Sequence, residues 1–277
     1  MSKYSTQEER LDYLVEAFKE DSDEYKDLQT PSDTEGKRRI LRSLMNIRMP
    51  GKMAPDVLEI QDEYLRERIR ENEIVSVSDI SSVAVRGSTH PFSDRIFIWQ
   101  GDITRLQVDA IVNAANSAML GCFVPMHTCI DNCIHNFAGI QLRLECDRQM
   151  QALRAVYGSD YEQPTAVPML TDGYNLPAKK VIHIVGPIVQ YGLTPELEED
   201  LAACYRRTLD MCLENGLKSV AFCCFSTGVF RFPNRRAAQI VVKAVTDWLN
   251  EHPDAMEMVI FNVFKDIDKE YYEQELF

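Results

Sequence analysis

No run of this 277-residue chain approaches the roughly 20 consecutive apolar residues that a membrane-spanning helix needs, which excludes such a helix. The stretch from Met1 to Lys19 is charged and amphipathic and lacks the uninterrupted apolar core of a secretory leader. A cytoplasmic location is expected, with reduced cysteines. Neither the G-x-G-x-x-G pattern nor the G-x-x-x-x-G-K-[ST] pattern occurs, so a dinucleotide Rossmann site and a P-loop are both disfavoured. An excess of basic charge is missing too. The formal net charge of −13 argues against a nucleic-acid partner, because such partners are held by clustered Lys and Arg. It leaves room for a phosphorylated ligand, since backbone N–H groups hold phosphate without basic side chains. Internal repeats and low-complexity tracts are absent.

What is present is an ordinary globular composition, 45% hydrophobic and 26% charged. The length suits one large domain, alone or with an appendage. In a reducing compartment the eight cysteines read as thiols or metal ligands rather than disulfides. Cys133, Cys146, Cys204, Cys212 and one of Cys223 and Cys224 fall at apolar positions and read as small buried hydrophobes. Cys122 and Cys129 do not fit that description.

The first ninety residues read as helical. Leu11, Leu14, Val15 and Phe18 recur at helical spacing after Ser5 and Glu8 in a capping-box pattern. Ile40, Leu41, Leu44, Met45 and Ile47 form a second apolar face that ends before Met49-Pro50-Gly51. Leu58, Leu65 and Ile69 mark a third helix, begun near Asp56. Residues 1–90 are expected to form a helical extension without chemistry of its own, and residues 91–277 the main domain. From Arg95 onward short apolar runs alternate with helical stretches. Strands are expected at Ile96–Trp99, Val108–Val112, Val167–Leu170, Val181–Val185, Val220–Phe225 and Met258–Val263. Ile130–Ala155 reads as one long helix, Thr194-Pro195-Glu196 opens another that closes at Asn215-Gly216, and Pro233–Asn250 is a third. This alternation indicates an α/β sheet with helices on both faces.

Ligands of open α/β sheets bind beyond the carboxyl ends of the strands, and three segments there carry unusual residues. Asp102, in Gly101-Asp102-Ile103-Thr104, is either a turn cap or an acceptor for an exocyclic amine such as that of adenine. Asn113 and Asn116, read as lying beyond a strand, either form an Asx turn or bond sugar hydroxyls. Ser226-Thr227-Gly228-Val229-Phe230 is either a plain loop or a backbone cradle for a diphosphate. A fourth segment is sharper. Cys122, His127 and Cys129 place two thiols and an imidazole in one Pro-containing loop, and these are the preferred ligands of zinc. The spacing is not that of a zinc finger. Three ligands leave a coordination position open, as catalytic zinc requires; Cys133 as a fourth ligand makes the site structural. A dithiol redox switch of Cys122 and Cys129 is the alternative. His135 and His183 read as structural histidines.

In order and spacing, Gly101-Asp102-Ile103-Thr104, Val108-Asp109-Ala110-Ile111-Val112-Asn113-Ala114-Ala115-Asn116 and Ser226-Thr227-Gly228-Val229-Phe230 resemble the signature series of a macrodomain. Ordinary macrodomains carry a glycine-rich loop after the Asn pair. Here Leu120-Gly121-Cys122-Phe123-Val124-Pro125-Met126-His127-Thr128-Cys129-Ile130-Asp131-Asn132 stands instead, and it resembles the zinc-containing branch of that family. Leu44-Met45-Asn46-Ile47-Arg48 and Phe261-Asn262-Val263-Phe264-Lys265-Asp266 are similar to that branch as well.

The resemblance implies a mixed six-stranded sheet sandwiched between helices, with an N-terminal helical extension. It implies that Asp102 binds the adenine amine, that the Ile103 backbone helps place the base, and that Ser226, Thr227, Gly228, Val229 and Phe230 wrap the diphosphate. Asn116 then holds the distal ribose, Asn113 supports its loop, and Cys122, His127 and Cys129 hold Zn2+. The implied activity is zinc-dependent hydrolysis of the bond joining mono-ADP-ribose to a protein side chain, with Asn116 and His127 as catalytic residues. A mono-ADP-ribosylated protein is the implied substrate, and a sirtuin-type ADP-ribosyltransferase and a lipoyl-carrier protein are implied partners. An ADP-ribose reader with a structural zinc, and a hydrolase of small ADP-ribose derivatives, are the rival readings.

Overall fold

The computed structural model describes residues 4–225 and 230–277. They form two compact units interleaved along the chain. The first comprises residues up to 73, 120–159 and 174–176; the second comprises 74–119, 160–173 and 177–277. This grouping differs from the expected boundary near residue 90, because the thiol-containing loop and the helices after it cluster with the N-terminal helices.

The first unit is helical: α1 (Gln7–Glu20), α2 (Thr34–Ile47), α3 (Pro55–Glu71), α4 (Ile130–Ala138) and α5 (Ile140–Tyr157). Leu11, Leu14, Val15 and Phe18 of α1, with Leu41 and Leu44 of α2 and Val57, Ile60 and Leu65 of α3, form one buried cluster. The spacing of these residues puts one apolar stripe on each helix, and three stripes bury each other. The capping box of α1 lies one residue later than expected. Thr6, not Ser5, caps the helix, and the Glu9 carboxylate accepts from Ser5 N, Ser5 Oγ and Thr6 N at 2.9, 3.0 and 3.0 Å. Both registers fit the motif; Glu9 wins by collecting three donors.

The single helix expected over Ile130–Ala155 is two helices, broken at Gly139. Gly139 has φ +98°, and a Cβ there would lie 2.8 Å from both Gln61 Nε2 and Gln141 Oε1. The chain turns at this point because Gln61 Oε1 accepts from the Ile140 N–H at 3.2 Å and Gln61 Nε2 donates to Gln141 at 2.7 Å. A buried glutamine 79 residues away thus fixes the break that Gly139 permits.

The second unit holds the sheet. Its strands are β1 (Val75–Ser76), β2 (Ile96–Gln100), β3 (Leu106–Gln107), β4 (Ala110–Ala114), β5 (Met169–Asp172), β6 (Lys180–Ile184), β7 (Ser219–Cys223) and β8 (Met258–Val263). β1 and β3 pair as a small separate ladder. The other six form one mixed sheet in the order β2-β8-β7-β4-β6-β5, parallel except for antiparallel β5. The helices of this unit are α6 (Pro195–Glu214), α7 (Asn234–Glu251) and α8 (Asp266–Leu276). The α/β class and the mixed six-stranded sheet are as expected. Thr194 caps α6 by accepting from Leu197 N at 3.3 Å, with Pro195 at the first position. α8, β1 and β3 were not foreseen. Asp109 precedes β4 and accepts from Lys218 N, Ser219 N and Lys179 Nζ at 2.8, 3.0 and 2.7 Å, tying together the starts of β4, β6 and β7.

Candidate active site

Five parallel strands of the second unit point the same way, so the loops after β2, β4 and β7 leave one edge of its sheet. After β2, Asp102 caps a single 3-10 turn, Ile103–Arg105. Its Oδ1 accepts from Thr104 N at 3.0 Å and from Thr104 Oγ1 at 2.7 Å. Ile103 is buried. The loop is fixed from the neighbouring strand: the amide of Asn262, in β8, donates to Trp99 O at 3.3 Å and Gly101 O at 3.0 Å. Nothing in the residues flanking Asn262 signals this positioning role, because its partners lie 163 and 161 positions earlier in the chain. Phe264, just past β8, is exposed.

Asn113 does not lie beyond a strand. It is the fourth residue of β4 and fully buried, because β4 runs two residues further than its apolar run suggested. Its Nδ2 lies 3.1 Å from His183 Nδ1, and His183 Nε2 lies 3.0 Å from Thr171 Oγ1. If Asn113 donates, His183 is the neutral tautomer with its proton on Nε2, directed at Thr171. Burial pushes the His183 pKa down to about 3, consistent with a neutral ring. His183 is therefore the structural histidine expected. Asn116 does lie beyond β4 and is exposed; its Oδ1 accepts from Ala118 N at 3.1 Å, forming an Asx turn. Of the segment after β7, Ser226, Thr227, Gly228 and Val229 lie outside the described residues. Phe230 is half-buried, and its carbonyl accepts from Val189 N at 2.9 Å.

The thiol loop belongs to the first unit. The ligand atoms of Cys122, His127 and Cys129 all lie within 4.8 Å of one another, and Cys122 Sγ is 3.6 Å from His127 Nδ1. A tetrahedral zinc with Zn–S of about 2.3 Å and Zn–N of about 2.0–2.1 Å requires an S···N edge of about 3.6 Å. The donor set and this edge therefore fit zinc. Burial drives the Cys129 pKa up to about 12, opposed by the Asn132 N–H and reinforced by the nearby Cys122. A bound cation would offset this cost at the Cys129 sulfur. Cys133 is outside this cluster; its sulfur faces Arg42 Nη2 at 3.7 Å, and it is half-buried rather than fully buried as expected.

Side chains from outside the loop hold its backbone. Asn132, in the first turn of α4, donates to Val124 O at 3.0 Å and Cys122 O at 3.4 Å, while its N–H reaches Cys129 Sγ at 3.4 Å. Arg42, in α2, donates to His127 O at 2.8 Å and Asn132 Oδ1 at 3.0 Å. Asn46, also in α2, accepts from Met126 N at 3.1 Å, where Met126 sits at φ 58°. Buried Arg143 donates to Leu120 O at 2.8 Å and to three carbonyls at the end of α2. At Gly121, φ is +79° and a Cβ would meet the His135 ring at 2.8 Å, so the loop begins where only glycine fits. The N-terminal extension is thus not without chemistry: α2 supplies two of the braces. Nothing in the spacing of Arg42 or Asn46 distinguishes them from ordinary helix-surface residues.

Fold and strand-end loops together define a macrodomain, and the chain belongs to the macro domain family, whose model matches residues 112–241. It is 45% identical to a protein of Treponema medium named protein-ADP-ribose hydrolase, across 96% of this chain and 98% of that one. A Staphylococcus aureus protein of the same name is 37% identical across 99% of this chain and 97% of its own. Among solved structures, the Trypanosoma brucei macrodomain in complex with ADP-ribose matches with a TM-score of 0.63 at 30% identity, covering 82% of this chain and 92% of that one.

Proposed function

We propose that this protein hydrolyses the bond joining mono-ADP-ribose to a protein side chain, using a zinc ion held by Cys122, His127 and Cys129. Full-length relatives named for protein-ADP-ribose hydrolysis support the activity. The observation that carries the metal is the convergence of two thiols and an imidazole within 4.8 Å, with a 3.6 Å edge that suits tetrahedral zinc. When bound, the ion supplies Lewis acidity. The chain's own residues do the rest. Asp102 accepts from the adenine amine, and the Ile103 backbone places the base. Backbone N–H groups of Ser226, Thr227, Gly228, Val229 and Phe230 hold the diphosphate. Asn116 orients the distal ribose, and Asn113, pinned by His183, fixes the strand that carries it. The catalytic assignments are Asn116 and His127. A closed, structural zinc would need Cys133 as a fourth ligand, and the Arg42 guanidinium against that sulfur disfavours it. We place the activity in the cytoplasm, with a sirtuin-type ADP-ribosyltransferase and a lipoyl-carrier protein as partners.

Protein purified without added metal should contain about one zinc per chain by elemental analysis. It should release ADP-ribose from at least one of three mono-ADP-ribosylated proteins, linked through an acidic residue, serine or arginine. A metal-free preparation with undiminished release overturns the role of zinc. Zinc-loaded protein that binds ADP-ribose tightly but releases none overturns the hydrolase.

A further inference from the structure

One cavity of the first unit gathers arginines in a chain of net charge −13. A cavity of about 120 Å³ opens where α2, α3 and α4 meet, and its lining includes Arg38, Arg39, Arg42, Arg68, Glu35 and Tyr64. Its charges are unevenly matched. Arg38 and Arg68 share one carboxylate, Glu71, the first at 3.3 Å. Arg42 bonds only to neutral acceptors, His127 O, Asn132 Oδ1 and Cys133 Sγ, and forms no ion pair among the described residues. The Nε atoms of Arg38 and Arg42 are buried and lack an acceptor among those residues. Four guanidiniums against the carboxylates of Glu35 and Glu71 leave an excess of positive charge around this cavity. Buried N–H donors without acceptors are costly, and planar guanidinium forks match the geometry of carboxylate and phosphate oxygens.

We propose that this arginine-lined cavity is a binding site for an oxyanion, a carboxylate or a phosphate group, formed by residues other than those assigned to ADP-ribose and zinc, with Arg42 shared between the cavity and the bracing of the thiol loop. The anion supplies the acceptors that Arg38 and Arg42 lack and offsets the unmatched charge. Two sources present such a group: a small anion in solution, or the acidic side chains of a protein segment.

Inorganic phosphate by calorimetry, at constant ionic strength against a chloride reference, probes the first source. A fluorescein-labelled hexaglutamate peptide, followed by anisotropy, probes the second. Both use the full chain. Saturable one-to-one binding of phosphate, displaceable by peptide, supports the site with a small-anion source; binding of the peptide alone supports it with a protein source. Arg39→Gln, an exposed position in no ion pair among the described residues, should weaken the bound probe at least threefold with an unchanged melting temperature. The Arg39→Gln/Arg68→Gln pair should weaken it at least tenfold. Lys243→Gln, on α7 of the second unit, should leave it unchanged. No saturable binding of either probe overturns the proposal, and so does an equal loss in Lys243→Gln, which would reduce the effect to general charge.

Discussion

The loops at the sheet edge of the second unit and the thiol loop of the first unit differ in how much of their support is local. At the sheet edge Asp102 and Asn116 fold their own backbone, and Asn262 of the next strand adds one distant brace at Trp99 O and Gly101 O. Asp102 caps the turn two residues on, Asn116 closes an Asx turn onto Ala118, and Asp109 ties the opposite end of the strands. The thiol loop has no such self-sufficiency. Its ligand side chains turn toward one another, and its carbonyls and N–H groups are bound by Arg42, Asn46, Asn132 and Arg143. A recognition loop built from its own caps can be read within a few residues. A ligand loop whose side chains are committed inward has its backbone satisfied from outside, here by nearby Asn132 and by Arg42, Asn46 and Arg143 from further away in the chain.

Breaking the ligand set is the severest test of this contrast. His127→Ala should lower release of ADP-ribose from a modified protein by at least about 100-fold, the scale of losing a major electrostatic element. Affinity for free ADP-ribose, measured by calorimetry, should survive within a few fold, because Asp102, Asn116 and the segment from Ser226 to Phe230 lie in the other unit. An equal loss of binding would mean that the two regions do not divide the work in this way.

Acid should act on the sheet unit. His183 has a folded pKa near 3 against about 6.5 in an unfolded chain, so folding disfavours its protonated form. Its contribution is complete above pH 6.5 and is lost as the pH falls toward 3. By pH 5 the loss is about 2 kcal/mol relative to pH 8. Chemical denaturation across that range should show the slope in the wild type and a flatter profile in His183→Gln.

The outer braces come next. Asn132→Ala removes two bonds to loop carbonyls and should weaken zinc about tenfold in competition with a chelator, the lower end for residues that orient ligands. Zinc affinity unchanged in this variant would show that the loop holds its own shape. An effect of similar size is expected at the sheet edge. Asp102→Ala should weaken ADP-ribose by about 1–3 kcal/mol, the range of a lost buried hydrogen bond, without altering zinc content.

Much of the architecture was legible because its determinants are local. The apolar runs of β2, β6 and β8, the Thr194-Pro195 start of α6 and the stripe of α1 each lie within a few residues of the element they specify. The candidate ligands Cys122, His127 and Cys129 were legible for the same reason. Errors came where a distant group decided. Gln61 fixes the helix break at Gly139, and pairing with β6 carries β4 through Asn113, so that a residue read as a loop amide is a buried partner of His183. α8 escaped notice because its polar sequence shows no clear apolar period; only Asp268, Tyr272 and Leu276 are buried.

Residue types and spacing by themselves determined the α/β class, the strand-end positions of Asp102 and Asn116 and the identity of the thiol–imidazole trio. Short-range periodicity and chemistry suffice for these. Only the tertiary structure decided that Arg42 and Asn46 of a seemingly inert helix brace that trio, and that Arg38, Arg39, Arg42 and Arg68 line one cavity. Hydrogen bonds and charge clusters join residues whose sequence separation carries no signal, so they exist only once the chain has folded.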